Sequence, residues 1–397
     1  MTENFSTSNS WVTYVAPNRS HHFPYAEALA KAGLLTAFVS GYPRFRGHLT
    51  DKLKERIKRR DLVQILYLLS LRCPSIGSGL SDFLGYFSKV ALDRAALLHA
   101  SKSRVFLAYN GCALNTMQRL RGTQTIRVVE VVNSHVGTLE EIMAKEHNLH
   151  GITYKGIYYR EKKRRIEEYK EADYILCPSA FVIRSFIERG FAPSKLLKNP
   201  YGVSHIATPV VRSEQVDPAS KFRVLYVGSI HLRKGLSYLV DAFIRLDVPN
   251  KELWLVGPVT DTSGIDIGHL PTNVHLKGVL KGVQLSEAYA SSHVFVLPSV
   301  EDGFGLVLSE ALSFGLPVIA TTNTGADDLF KDAVEGFIVP IRDPGAIHQK
   351  LQMLVENKTL RRTVSESAYR RAKALRETPS GAESLVQLMR KLIKEHD

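Results

Sequence analysis

Residues 294–322 read VFVLPSVEDGFGLVLSEALSFGLPVIATT. Val294–Leu297 is a short run of apolar, mostly branched residues, the pattern of a buried strand, and it stops at Pro298-Ser299. A loop with Glu301 and Asp302 follows, then a helix that starts near Gly303–Gly305. Gly303 and Gly305 let the backbone come close to a ligand, and the free N–H groups at the helix start form an anion site suited to a diphosphate. Glu310 lies eight residues after Asp302, about 12 Å along that helix at 1.5 Å per residue. Two carboxylates so placed can hold hydroxyls at the two ends of an extended ligand. The same spacing also fits a loop cap and a solvated helix residue, since acids are common near helix starts.

The strand, loop and helix pattern repeats along all 397 residues. Short branched runs at Trp11–Ala16, Ala37–Ser40, Val105–Tyr109, Ile126–Val132 and Tyr174–Pro178 alternate with helical periods at Phe23–Ala32, Lys52–Leu71, Asp82–Ala100, Lys155–Ala172 and Ala180–Arg189. After a loop at Tyr201–Ser220 the alternation restarts. Its strands are Phe222–Val227, Leu253–Val256, Val274–Lys277, Val294–Leu297, Val318–Thr321 and Phe337–Val339. Its helices are Leu236–Arg245, Leu285–Ser291, Leu306–Ser313, Pro344–Val355 and Leu360–Leu375. Such alternation predicts α/β architecture with two doubly wound, Rossmann-like domains facing across a cleft. The boundaries fall at 1–200, 201–377 and 378–397, the last piece being a helix free to pack back on either domain, the N-terminal one included.

Charge separates the two halves. The chain has 52 Lys+Arg and 39 Asp+Glu, a formal +13. Residues 1–200 hold 30 basic and 17 acidic residues, and residues 201–397 hold 22 of each, so the surplus lies wholly in the first half. A basic face meets phosphate, in nucleic acid or on an anionic membrane. Cys73, Cys112 and Cys177 are too far apart for a disulfide framework or a zinc site, which fits a reduced cytoplasm. No stretch nears the roughly 18–20 apolar residues of a membrane span, and the polar Met1–Ser10 is unlike a signal peptide.

Between the acids and the following Gly-Leu-Pro-Val-Ile-Ala, the block at 294–322 resembles the signature of family 4 retaining glycosyltransferases, the glycosyl transferases group 1 of GT-B fold. Their acid, seven residues and Glu fall on Asp302 and Glu310. The resemblance implies that the first acid holds the transferred sugar and the second the nucleotide ribose. Glu is usual at the first position; here Asp302 stands there with Glu301 beside it. The loop residues Gly303, Phe304, Gly305 and Leu306 then belong to the donor site. The block FRVLYVGSIHLRKGLSYLVDAF, Phe222–Phe243, is similar to the family's phosphate-binding block. Lys234 stands at a helix start, where a cation is disfavoured unless a phosphate is bound. The resemblance gives Lys234 to the donor diphosphate. The family often has Arg directly after the first Gly, a place held here by Ser229, so Arg233 is the second cation. Gly278 and Val279 match the turn whose backbone faces the nucleobase.

In the first domain, His135 ends Val128–His135, where a structural cap and a donor-facing His are both open; the family commonly has His here. Arg19 and His21 follow the first strand, in place of the family's Gly-rich loop, as candidates for phosphate or acceptor. No Asp-x-Asp occurs, so nothing resembles a metal-diphosphate clamp, and no metal or other cofactor is expected. The resemblance implies retaining transfer in which the departing diphosphate takes the acceptor's proton, without a dedicated base. The donor is a nucleotide diphosphate-sugar and the acceptor a lipid-linked or cell-surface glycan, as in polysaccharide or lipopolysaccharide assembly. A catalytically silent GT-B scaffold and a GT-B phosphorylase are the alternatives.

The segment Arg44–Leu71 has eight Lys/Arg and two acids up to Arg60 and then an apolar run. It is either a solvated helix leading into a core helix, or an interfacial helix on an anionic membrane, with Arg56, Lys58, Arg59 and Arg60 as its lipid contacts. Nucleic acid would call for interleaved aromatics, and only Phe45 and Tyr67 are present. The expectation is a peripheral protein on the cytoplasmic face of a membrane.

Overall fold

The computed structural model describes residues 11–43, 49–71, 78–203, 221–262 and 264–396. Met1–Ser10, the start of the basic segment at 44–48, Cys73 and most of the loop after Tyr201 lie outside the described residues. Seven strands form the first sheet: β1 (Val12–Ala16), β2 (Leu35–Ser40), β3 (Ile57–Arg59), β4 (Val105–Tyr109), β5 (Ile126–Glu130), β6 (Tyr174–Cys177) and β7 (Leu196–Lys198). They pair in parallel in the order β3-β2-β1-β4-β5-β6-β7. Six form the second: β8 (Phe222–Val227), β9 (Lys251–Val256), β10 (Val274–Gly278), β11 (Val294–Leu297), β12 (Val318–Thr321) and β13 (Gly336–Val339). These are also parallel, in the order β10-β9-β8-β11-β12-β13.

Helices cover both faces of each sheet, which is why β1, β11 and β12 are buried along their whole length and read as unbroken apolar runs. In both sheets the winding reverses beside the first strand, between β1 and β4 and between β8 and β11. A crevice opens at the carboxyl ends there, where doubly wound folds hold their ligands. The chain thus has the two Rossmann-like sheets expected of it.

One apolar core fills the second sheet and its helices, and two others lie on the faces of the first. The helix Gly381–Glu395 joins the first sheet: Leu385, Val386, Met389, Leu392 and Ile393 pack with Val12, Tyr14 and Leu29. Its start is fixed by a capping box, in which Ser380 Oγ accepts from Glu383 N and Glu383 Oε2 accepts from Ser380 N.

Several expectations are corrected. The single helix over Lys52–Leu71 is three elements: a helix at Asp51–Arg56, the edge strand β3, and a helix at Leu62–Ser70. Pairing of Ile57, Lys58 and Arg59 with Phe38, Val39 and Ser40 of β2 wins over helical propensity, as tertiary contacts often do. Lys58 and Arg59 therefore sit on a strand, Arg56 ends a short helix, and no continuous interfacial helix runs through them. Helices at Leu114–Arg119, Val136–Leu149 and Ala326–Leu329, and the strand β7, were not expected. Among the described residues no helix is long and apolar enough to cross a membrane.

The helix Leu62–Ser70 is inverted relative to an ordinary surface helix. It buries Gln64 and Ser70 and exposes Leu62, Leu66, Leu68 and Leu69, with Leu62 at 77%. It packs on the helix Ser78–Ala100, whose exposed Phe83 and Phe87 stack at 6.0 Å. Arg56, Lys58 and Arg60 are exposed just before this patch, whereas Arg59 is half-buried and donates to the Tyr42 carbonyl at 3.0 Å.

Candidate active site

The loops that leave β8 and β11 meet at the crevice of the second sheet. After β8 a short 3-10 turn, Leu232–Lys234, ends at Gly235, whose φ of +63° places it in the left-handed region. A Cβ at Gly235 would lie 2.2 Å from the Pro298 carbonyl oxygen, so only glycine lets the two loops touch. Val300 N donates to the Arg233 carbonyl at 3.0 Å and fixes the register between them.

This contact pairs two cations with two acids. Arg233 Nη1 donates to Glu301 Oε2 at 2.7 Å, and Lys234 Nζ forms an ion pair with Asp302. Asp302 Oδ1 also accepts from Gly305 N at 3.0 Å and Phe304 N at 3.3 Å, so the acid itself caps the glycine loop. Burial pushes the Asp302 carboxyl up, but Lys234 and Arg233 outweigh it and hold it below its ordinary value. His231 beside them is pushed down to about 4 by burial and then by the same two cations.

The neighbouring acids face different surroundings. Glu301 is fully buried, and its carboxylate accepts from Ser134 N at 2.9 Å, Ser134 Oγ at 3.0 Å and Asn133 Nδ2 at 3.0 Å in addition to Arg233. It ties the second sheet to the loop after β5 of the first. The Asp302 side chain keeps 18% exposure beside Lys234 at 12%. Gly303 serves the same junction: a Cβ there would stand 1.8 Å from the Val132 carbonyl oxygen. Its small size admits the first domain's backbone, whereas Gly305, at φ +74°, begins the helix Leu306–Ser313, and a Cβ there would stand 2.8 Å from Leu297 Cδ2.

The other expected donor residues surround these loops. Glu310, on that helix, accepts from the Tyr289 hydroxyl at 2.8 Å. Gly278 ends β10 in the left-handed region with open space around it, and Val279 is exposed. Ser229 follows Gly228 and its carbonyl accepts from the Tyr226 hydroxyl at 2.9 Å. Phe304 is buried with its edge against Tyr201, at 5.4 Å between ring centroids, and Leu306 is exposed.

In the first domain, His135 caps the helix Val136–Leu149, its Nδ1 accepting from Gly137 N at 3.1 Å. Its ring packs among Tyr169, Phe186 and Phe191, and burial followed by Arg189 pushes it down to about 4. The imidazole is therefore neutral at pH 7, with its proton on Nε2. Arg19 is exposed over the Phe23 ring. His21 donates to Glu130, a residue the sequence reading passed over, as it did His22, Tyr14 and Tyr201 beside it. The signal available was position alone: Glu130 is the last residue of β5, at the mouth of the first sheet's crevice.

Residues 209–371 match the family model of the glycosyl transferases group 1. The chain is 29% identical over 211 residues to the sulfoquinovosyl transferase SQD2 of Arabidopsis thaliana, covering 50% of this chain and 41% of that protein. It is 32% identical over 158 residues to the capsular polysaccharide biosynthesis glycosyltransferase CapM of Staphylococcus aureus, covering 38% and 41%. The match thus spans 41% of the length of each curated relative. Among solved structures, a sucrose-phosphate synthase from Thermosynechococcus elongatus superposes with a TM-score of 0.69 over 98% of this chain and 99% of that one, at 18% identity, which speaks for a shared GT-B fold. Residues 209–371 are thus similar to the glycosyl transferases group 1.

Proposed function

We propose that the chain moves a sugar from a nucleotide diphosphate-sugar, without a metal and with retained configuration, to a lipid-linked or cell-surface glycan acceptor. The observation that carries this reading is the pairing of Lys234 with Asp302 and Arg233 with Glu301 at the crevice between β8 and β11. Lys234 and Arg233 are placed to neutralise a leaving diphosphate, with the start of the helix Leu306–Ser313 beside them. Charge held in place before the reaction stabilises the transition state at little reorganisation cost. Asp302 is the acid open to the sugar hydroxyls, because Glu301 is spent on the domain junction. Glu310 takes the ribose, and the backbone at Gly278 and Val279 faces the base. Retention rests on the resemblance of the Asp302 to Glu310 block.

The inverted helix Leu62–Ser70 favours a membrane-borne acceptor. Its exposed leucines, Phe83 and Phe87 form an apolar patch beside Arg56, Lys58 and Arg60, the combination that suits an anionic lipid surface. One relative is a capsular polysaccharide biosynthesis glycosyltransferase, which agrees with a cell-surface glycan acceptor.

The test is nucleotide release from UDP- and GDP-sugars, with thermal shifts by UDP and GDP. Glu310→Ala is expected to weaken nucleotide binding by about 10- to 100-fold, the loss of hydrogen bonds to a charged group. The reading fails if no sugar nucleotide is consumed and Glu310→Ala leaves the nucleotide shifts unchanged.

A further inference from the structure

One buried cluster has no part in donor binding. His21 and His22, at the start of the helix His22–Lys31, converge on Glu130, the last residue of β5, at the mouth of the first sheet's crevice. His21 Nε2 is 2.6 Å from Glu130 Oε1 and His22 Nδ1 is 3.3 Å from Glu130 Oε2, and one ligand atom from each of the three residues lies within 4.8 Å of the others. Glu130 and His22 are sealed at 2% and 1% exposure, and His21 keeps 12%. Among the described residues no Lys or Arg pairs with Glu130; imidazoles alone oppose it. A buried carboxylate is costly unless a cation or a metal ion stands against it.

The spacing suits an ion. Around a tetrahedral zinc with bonds of about 2.0–2.1 Å, ligand atoms stand about 3.4 Å apart. The contact of His22 with Glu130 already has that length, and the one of His21 with Glu130 has to widen by about 0.8 Å. Outer partners that orient the ligands are in place. With Nε2 of His21 on the ion, its other ring nitrogen, Nδ1, carries the proton, and Ser20 Oγ stands 3.3 Å from it as acceptor. The Tyr14 hydroxyl lies 2.6 Å from His22 Nδ1 and donates to Glu130 Oε2 at 2.7 Å; with Nδ1 on the ion it keeps the bond to Glu130. His21 also stacks on Tyr201 at 4.2 Å, and Tyr201 meets Phe304 of the donor loop at 5.4 Å, so the cluster is joined to the linker between the sheets.

We propose that His21, His22 and Glu130 bind one transition-metal ion of the zinc class. Two imidazole nitrogens and a carboxylate oxygen suit Zn2+ or Co2+, whereas Mg2+ and Ca2+ take oxygen ligands. Three protein ligands leave a fourth position for water or for an oxygen of a molecule in the crevice. The ion fastens the start of the helix His22–Lys31 to β5 and, through the His21 ring, steadies Tyr201. It takes no part at the donor diphosphate, which Lys234 and Arg233 face, and the proposal does not depend on the glycosyltransfer reading.

The experiment strips the untagged full chain with EDTA and titrates it with zinc chloride, followed by calorimetry and by metal analysis after dialysis. One zinc per chain is expected, with no uptake of Mg2+ at the same concentration. His21→Gln and Glu130→Gln are each expected to weaken zinc binding at least about 10-fold, since even an outer partner of a ligand contributes that much. His269→Gln removes an exposed imidazole 2.7 Å from Asp266 and is expected to leave zinc binding unchanged. Co2+ in place of zinc is expected to give the wild type the visible absorption of a four-coordinate site, which both cluster variants lose and which loosening of the fold does not imitate. His21→Gln, at the exposed edge of the cluster, decides the test where Glu130→Gln does not fold. No zinc uptake by the wild type overturns the proposal, and so does uptake that His21→Gln leaves as tight as in the wild type.

Discussion

Replacing Gly303 by alanine tests whether the two sheets must close on each other for activity. The added Cβ would lie 1.8 Å from the Val132 oxygen, and real Cβ contacts begin near 3.0 Å, so the junction has to open by at least the difference of 1.2 Å. The hydrogen bonds of the Glu301 carboxylate to Asn133 Nδ2, Ser134 N and Ser134 Oγ are 2.9 to 3.0 Å long, and an opening of that size breaks all three. At about 1.5 kcal/mol for each bond to a charged group, the closed form loses about 4.5 kcal/mol, on the order of 2,000-fold in its ratio to the open form. Turnover of a sugar nucleotide is expected to fall at least 100-fold, while UDP or GDP still stabilises the variant, because the donor loops belong to the second sheet. Small-angle X-ray scattering is expected to show a larger radius of gyration. Wild-type turnover within threefold, with an unchanged scattering profile, would refute the reasoning.

Three further outcomes are expected. Arg164 is 5% exposed between the fully buried Asp93 and Glu168, so Arg164→Met leaves two buried acids uncompensated and is expected to cost about 3–5 kcal/mol, read as a lowered urea midpoint; an unchanged midpoint contradicts this. His135 has a folded pKa of about 4 against 6.5 unfolded, so the unfolded chain binds the proton first. Stability is full above pH 6.5 and falls by up to about 3 kcal/mol as pH drops to 4. His135→Asn, which keeps a capping oxygen, is expected to flatten that part of the stability profile, and a profile as steep as wild type argues against it. Leu66→Gln with Leu69→Gln, and separately Arg56, Lys58 and Arg60 changed to Ser, are each expected to reduce co-sedimentation with anionic vesicles, the basic set by about 1 kcal/mol per residue; equal binding by all variants sinks the membrane reading.

The doubly wound fold was legible because a strand covered on both faces carries its burial in its own letters. Val105–Tyr109, Phe222–Val227, Val294–Leu297 and Val318–Thr321 have the same limits in sequence and structure. Edge elements were not legible. Ile57–Arg59 is a strand only because β2 offers a free edge, and three residues carry no period of their own. The donor loops were legible as glycine and charge patterns, yet the sequence could not tell which atoms those glycines admit. Gly303 meets the other domain's backbone, and the two adjacent acids part company because one faces Asn133 and Ser134 and the other Lys234. The cluster at Glu130 joins residues 109 positions apart, so no local motif announces it.

The chain crosses between the sheets twice, once after Asn199 and again just before Gly381, and the two crossings touch. Asn199 Nδ2 donates to the Gly381 oxygen at 3.1 Å, and a Cβ on Gly381 would sit 2.5 Å from the Pro200 oxygen. Two segments fastened side by side act as one pivot: the halves can swing about it, but one cannot slide past the other. Travel grows with distance from a pivot, so a few degrees of rotation at Asn199 and Gly381 leaves nearby groups almost in place and moves remote ones by several ångströms. The side chains stacked beside the pivot, Tyr25 and Tyr201 with His21 between them, therefore keep their spacing through much of an opening stroke.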